Sequence, residues 1–260
     1  MPELPDVEVF RERLAKGALN REIAEVDLRD PERLRGARTD DLGAALTGYW
    51  FESVHRHGKV LFLKVSCGWQ FVMHFGMTGA VYLYDNPTAA PAYARLVLRY
   101  ADGGYFAFDN MRKLGWVELT DDVGIYLRSQ DIGPDVLNID RESFAARLHA
   151  KHGALKSALM DQATLAGLGN IYSDEVLFHA GLRPDHTPAD LPRDALDRIY
   201  DAAQRVLPAA ADCGARPESL PADWLVPHRE EGGSCPACGR PLTVAEISGR
   251  KAYFCQTCQG

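Results

Sequence analysis

Four cysteines near the C-terminus are the first residues whose spacing implies chemistry. They read Cys235-x2-Cys238 and Cys255-x2-Cys258, with sixteen residues between the pairs. Two-residue spacing lets both sulfurs of a pair reach one ion, and two pairs complete a tetrahedron. Four thiolates leave no open position, so the expected ion is one structural Zn2+; the competing reading is a pair of redox dithiols. The intervening LTVAEI-SGRK-AYF reads as two strands joined by a Ser-Gly turn. Arg250 follows Gly249 at the expected tip. There it is either a phosphate-binding guanidinium on a rigid mount or an ordinary solvated arginine. Cys67 and Cys213 stand alone.

The N-terminus, MPELPDVE, holds a second candidate. Met1 before a small residue such as Pro2 is normally removed, which leaves a secondary amine. An α-amino group titrates near about 7.7–8.0, whereas a lysine near about 10.4 needs strong tuning to be unprotonated at neutral pH. A secondary amine that attacks a sugar C1′ must form a charged iminium, because its nitrogen has no second proton to lose. That cation is an electron sink for β-elimination. Glu3 beside it is placed to move protons. The plainer reading is that Pro2, Glu3 and Pro5 only start a helix. Other candidates also have plain readings. Lys59 in HRHGKVLFL is a surface strand lysine, His74 in HFGMTG a satisfied core histidine, and Met77 core. GLGN at 167–170 is a helix start. There Gly167 and Gly169 allow tight turns, Asn170 caps, and the free helix N–H groups suit a phosphate.

Two kinds of element must position these residues. Residues 5–16 place Val7, Phe10 and Leu14 on one helical face, with Pro5 in the first turn and Gly17 as a stop. From about 21 to 120 the chain alternates short β-branched and aromatic runs (KVLFLKV, WQFVMHF, AVYLY, YARLVLRY, GYFAF) with glycine-bearing turns, which predicts a β-sandwich or barrel. DIGPDVL at 131–137 reads as a linker. Helical periodicity then predicts helices over 141–150, 154–161, 170–180 and 193–206.

Composition limits the function classes. Hydrophobic residues make up 46% and charged residues 25%, which excludes a disordered, collagen-like or coiled-coil chain. No apolar run approaches the roughly 18 residues of a membrane span, and the first residues lack the basic and apolar parts of a signal peptide. A cytoplasmic protein is expected, associated with the nucleoid if bacterial. The net charge of −7 argues against a broad cationic surface, so any contact with nucleic acid must rest on local phosphate cradles.

MPELPDVE, HRHGKVLFL, HFGMTG, LMDQATLAGLGNIYSDE and the terminal FCQTCQ together resemble, in order and over nearly the whole chain, the formamidopyrimidine-DNA glycosylase/endonuclease VIII family. The resemblance implies an α+β fold. An N-terminal β-sandwich with a flanking helix (1–130) would lead through a linker (131–140) to a helix–two-turn–helix domain (141–229) and a zinc ribbon (230–260), with DNA across the cleft. It implies excision of an oxidised base followed by β,δ-elimination, double-stranded damaged DNA as partner, and action as a monomer. By position, Pro2 would be the nucleophile and Glu3 the acid that assists sugar-ring opening. Lys59, His74, Asn170 and Arg250 would contact phosphate near the lesion, with Lys59 also helping proton transfer. Met77, Arg112 and Leu114 would fill the space left by a flipped nucleotide, Arg112 probing the orphaned base. Glu175 matches a family acid without a firm role.

One stretch departs from the family. The usual Asp-Pro-Arg-Arg-Phe-Gly is here Asn110-Met111-Arg112-Lys113-Leu114-Gly115, and Asp6 stands where glutamate is usual. The stretch between 207 and 234 is short and proline-rich, where relatives that recognise 8-oxoguanine carry a long loop. That favours formamidopyrimidines or oxidised pyrimidines. Two further hypotheses are a non-catalytic zinc-stabilised damaged-DNA-binding protein and a glycosylase for bulky adducts or crosslinks.

Overall fold

The computed structural model describes residues 1–260. They form two compact units: Met1–Pro2 with Val7–Ser129, and Glu3–Asp6 with Gln130–Gly260. The opening helix α1 (Leu4–Gly17) therefore divides, its first turn counting with the second unit.

The first unit is a β-sandwich. Its strands are β1 (Ile23–Leu28), β2 (Leu34–Arg35), β3 (Phe51–His57), β4 (Val60–Val65), β5 (Gln70–His74), β6 (Gly79–Tyr84), β7 (Ala94–Tyr100), β8 (Tyr105–Asn110) and β9 (Trp116–Thr120), with helices α2 (Thr39–Leu46) and α3 (Val123–Ser129). One sheet runs β1-β7-β8-β6 and the other β2-β9-β5-β4-β3. Pairing is antiparallel except for the short β2–β9 contact. Alternate residues of each strand face inward, and Phe51, Leu61, Leu63, Phe71, Met73, Leu96, Leu98, Phe106 and Phe108 fill the core. Val7 and Leu14 of α1 join that core, as the apolar spacing of the helix requires.

The second unit contains α4 (Arg141–His149), α5 (Leu155–Met160), α6 (Asn170–Ala180) and α7 (Arg193–Asp212), then the hairpin β10 (Thr243–Ile247) and β11 (Arg250–Phe254). The helices share one core that includes Leu4, Phe144, Leu159, Leu168, Val176, Leu196 and Val206. α7 runs past the expected stop at 206 and carries Pro208 in its interior. Proline removes one N–H from the ladder. Burial of Val206, Leu207 and Ala210 on both sides of it keeps the helix going.

Candidate active site and nucleic-acid interface

Between α5 and α6 the chain makes two turns, each fixed by one side chain. Asp161 accepts hydrogen bonds from the Ala163 N–H (3.1 Å) and the Thr164 hydroxyl (2.7 Å). Gln162 accepts from the Gly167 N–H (3.1 Å) and donates to the carbonyls of Met160 (2.7 Å) and Leu168 (2.9 Å). Gly167 has φ +127°, and a Cβ there would lie 2.6 Å from Leu4 Cδ1. Glycine is thus required twice over, by conformation and by space.

The start of α6 corrects the expectation for Asn170. Asn170 is the first helical residue; Gly169 is the N-cap and supplies no side-chain cap. The cap comes from Glu3, which is 1% exposed. Its Oε1 accepts the Ile171 N–H (2.8 Å), and its Oε2 accepts the N–H groups of Gly169 (2.9 Å) and Tyr172 (3.0 Å). The helix N–H groups expected to cradle a phosphate are therefore held by a carboxylate, which the helix dipole also favours. The Asn170 Oδ1 is buried and has no hydrogen-bond partner. Sequence reading missed this arrangement because 166 positions separate Glu3 from Gly169.

Asp6 Oδ2 accepts the Glu3 N–H (2.8 Å), which fixes the backbone next to Pro2. Burial pushes the Asp6 carboxyl up to about 6. Gly169 has extended backbone, φ −131° and ψ −156°, which any residue adopts. A Cβ there would lie 2.4 Å from Glu3 Cδ and 2.5 Å from its Oε1. Gly169→Ala is expected to displace the Glu3 carboxylate without backbone strain. Steady-state kinetics should show a lower kcat for base excision with duplex affinity and zinc content retained; an unchanged kcat would refute the coupling.

In the sandwich unit, Lys59 sits half-buried in the Gly58-Lys59 turn between β3 and β4. His74 ends β5 and pairs in register with Trp116, on which its ring stacks at 3.8 Å. Arg35 lies 3.5 Å from the centroid of the same indole, which leaves the opposite face as its only room. His74 Nδ1 accepts the Gly76 N–H (3.2 Å), so the ring presents Nε2–H as its donor. Burial and the charges of Arg35 and Lys59 push His74 down to about 4. It is a neutral hydrogen-bond donor at neutral pH, not a cation. The unfolded state binds the extra proton between pH 6.5 and 4, so stability falls as pH falls through that window. Asp6 contributes with the opposite sign, so the difference between variants is the quantity to read. Denaturant titrations should show wild type losing about 2 kcal/mol relative to His74→Gln across the window. A parallel pH response would refute the neutral histidine.

The residues matched to the flipped-base gap lie on two adjoining loops. Met77 is 39% exposed and Leu114 47%, too much for core residues of this size, and Met111 joins them at 48%. The Arg112 N–H donates to Thr78 Oγ1 (3.0 Å), linking the loops. Asn110 binds them from inside, its Nδ2 donating to the Phe75 carbonyl (3.2 Å) and its Oδ1 accepting the Leu114 N–H (3.2 Å). A Cβ on Gly76, at φ +58°, would meet the Leu114 backbone at 2.4 Å.

In the ribbon, Cys235 Sγ lies 3.8 Å from Cys258 Sγ, and Cys238 Sγ lies 3.6 Å from Cys255 Sγ. All four sulfurs fall within 4.8 Å of one another. A Zn–S bond of about 2.3 Å gives a tetrahedral edge of about 3.8 Å, so the set fits zinc and is far too long for disulfides. Gln259 supports it by accepting the Cys255 N–H (2.9 Å) and donating to the Leu182 carbonyl (2.7 Å). Ser248 and Gly249, both with positive φ, turn the hairpin and present an exposed Arg250. Glu175 is structural: its carboxylate accepts the N–H groups of Leu225 (3.0 Å) and Val226 (2.6 Å). Cys67 Sγ lies 3.4 Å from the Ala45 carbonyl, and Cys213 caps the end of α7.

The chain combines a β-sandwich, a helix–two-turn–helix module and a four-cysteine ribbon, and comparison with known proteins specifies the class to which this combination belongs. Residues 1–117 match the formamidopyrimidine-DNA glycosylase N-terminal domain. Residues 132–219 match its H2TH domain, and 232–260 match the zinc finger found in FPG and IleRS. The formamidopyrimidine-DNA glycosylase of Thermus thermophilus is 35% identical over 282 residues, covering 100% of this chain and 99% of that protein. The enzyme of Desulfitobacterium hafniense is 32% identical over 280 residues and 100% of both chains. Wild-type Lactococcus lactis Fpg (MutM), solved with DNA containing N7-benzyl-Fapy-dG, superposes with a TM-score of 0.89 at 26% identity over 99% of both chains. The chain belongs to the formamidopyrimidine-DNA glycosylase family. It is a DNA glycosylase of base-excision repair, with a structural zinc ion in its C-terminal ribbon. No helix is long and apolar enough to cross a membrane.

Proposed function

We propose that this chain excises oxidised bases, formamidopyrimidines foremost, from duplex DNA and then cuts the strand through an iminium on Pro2. With Met1 removed, the Pro2 nitrogen bonds to C1′ as the glycosidic bond breaks and the base departs with a proton. Glu3 takes the proton that the Pro2 nitrogen releases after attack and delivers it to the ring oxygen as the sugar opens, while the base takes its own proton from water. The C1′–nitrogen iminium then acidifies the 2′ position; loss of that proton expels the 3′ phosphate, a second elimination expels the 5′ phosphate, and water releases the amine. Lys59, His74, Asn170 and Arg250 bind phosphate. Met77, Arg112 and Leu114 fill the gap in the duplex, with leucine acting as an apolar wedge that does not stack as an aromatic would.

The observation that carries this reading is the three-fold N–H grip on Glu3, with Asp6 fixing the peptide that joins it to Pro2. The grip caps α6 in any case; it is the terminal amine beside it, freed by removal of Met1, for which a purely DNA-binding protein has no use. The lesion preference is supported by the stretch after α7. Its Leu220, Trp224, Leu225 and Val226 are buried, so it folds down onto the unit as short 3-10 turns. A panel of lesion duplexes should rank formamidopyrimidines and oxidised pyrimidines above 8-oxoguanine.

Borohydride trapping on a duplex with an abasic site, followed by intact-mass and peptide analysis, tests the chemistry. A covalent adduct on Pro2 is expected. No adduct from a folded, zinc-loaded chain lacking Met1 would overturn the reading in favour of a binding protein.

A further inference from the structure

We propose that Lys156, Asp174 and Arg229 form a buried positioning clamp that sets the spacing between Asn170 and Arg250, so that both engage the DNA backbone together. The proposal rests on the assignment of those two residues as phosphate ligands. Lys156 is on α5 and Asp174 on α6, both fully buried; Arg229 follows the 3-10 turn Val226–His228. Lys156 Nζ donates to Asp174 Oδ1 (2.5 Å) and to the carbonyls of Asn170 and Lys251 (3.1 Å each). Its three protons are thus fully used, and it has none to offer a substrate. Arg229 Nε donates to Asp174 Oδ2 (2.8 Å). Its Nη2 donates to the Asn170 carbonyl (3.0 Å) and reaches the Lys251 carbonyl at 3.5 Å. Asp174 Oδ2 also accepts the Tyr253 N–H (3.2 Å), and the guanidinium lies 4.7 Å from the Tyr253 ring centroid.

The same two cations therefore grip the backbone of Asn170 itself and of Lys251, the residue beside Arg250. Their common anion grips β11 two residues further along, at the Tyr253 N–H, on the same side of the strand. A second tether, Ser157 Oγ to Ser248 Oγ at 2.8 Å, joins α5 to the hairpin tip. Stability alone does not explain the cluster. Two cations and one anion out of water carry a desolvation cost that an apolar trio of equal volume avoids. What an apolar trio cannot do is hold two specific carbonyls at a fixed separation.

The test is a double-mutant cycle between protein and DNA, using the full zinc-loaded chain and a duplex with a stable abasic-site analogue. The lesion-flanking phosphates are native or replaced by neutral methylphosphonates. Arg229→Met is expected to bind the native duplex roughly tenfold more weakly, and neutral phosphates should weaken wild type by a similar factor. The two changes together should cost no more than either alone, and Arg250→Ala should behave the same way. Arg229→Lys, which keeps a cation but cannot span Asp174 and the Asn170 carbonyl together, should stay as weak as Arg229→Met. Zinc content and melting temperature report folding; if Arg229→Met loses either, Asp174→Asn takes its place in the cycle. Additive losses, undiminished affinity or rescue by lysine would overturn the clamp. Indifference of wild type to neutral phosphates would refute the phosphate assignment and the clamp with it. Binding is read without chemistry, so failure of trapping at Pro2 is a separate result.

Discussion

Glu3→Gln is expected to lower base excision by roughly 10²–10⁴-fold, the usual range for removing a positioned proton donor. The substitution keeps the shape of the side chain. It also sets an amide NH2 against a helix N–H, because Oε1 and Oε2 both accept from the start of α6. Lost hydrogen bonding there should cost about 1–3 kcal/mol, visible as a lower melting temperature. The two effects separate experimentally. Duplex affinity, which depends on phosphate ligands elsewhere, should be little changed below the transition, while single-turnover excision collapses. Full excision by the glutamine variant would remove Glu3 from the mechanism and leave it as a helix cap.

Zinc removal should have the largest energetic consequence. Structural zinc sites of this type contribute about 10–16 kcal/mol at neutral pH. The hairpin β10–β11 has only two strands, and an isolated pair is marginal in water. Its own buried cluster is small: Leu225, Cys235, Leu242 and Cys255. Cys238→Ser, or chelation, should therefore unfold the ribbon, release Gln259 from Cys255 and Leu182, and leave Arg250 without a mount. Duplex affinity should fall by roughly 10²-fold, because a charge-assisted phosphate contact and its rigid support are lost together. The sandwich, with its separate core, should keep its β-sheet circular dichroism. Retained duplex affinity after complete metal removal, verified by metal analysis, would contradict the role given to the ribbon.

Local patterns were legible where physics is local. The four-cysteine spacing specifies a tetrahedral site because the geometry of each pair is contained in four residues. The strand runs and the helical periodicity located the sandwich and the four later helices because burial on one face imposes a period. The last helix runs on to Asp212, through Pro208: the penalty of an interior proline is visible in sequence, while the packing that outweighs it is not. The family resemblance supplied roles for Pro2, Glu3, Lys59, His74, Asn170 and Arg250, but not the states in which they work.

Those states depend on contacts between distant positions. Asn170 looked like a helix cap because asparagine favours that place, yet the cap is Glu3, and the amide is left with a buried oxygen that no group satisfies. His74 looked like a phosphate contact or a core residue; burial against Trp116 and two nearby positive charges make it a neutral donor. Lys156, Asp174 and Arg229 carried no signal at all, because a buried charge becomes intelligible only when its partners are known. By itself, then, the sequence determined the element types and the metal, each set by residue chemistry and short-range spacing, and its family resemblance named the reacting groups proposed above. Tertiary structure alone decided which donors those groups meet and in what protonation state they stand, because solvation and hydrogen bonding at a buried site are properties of everything packed around it.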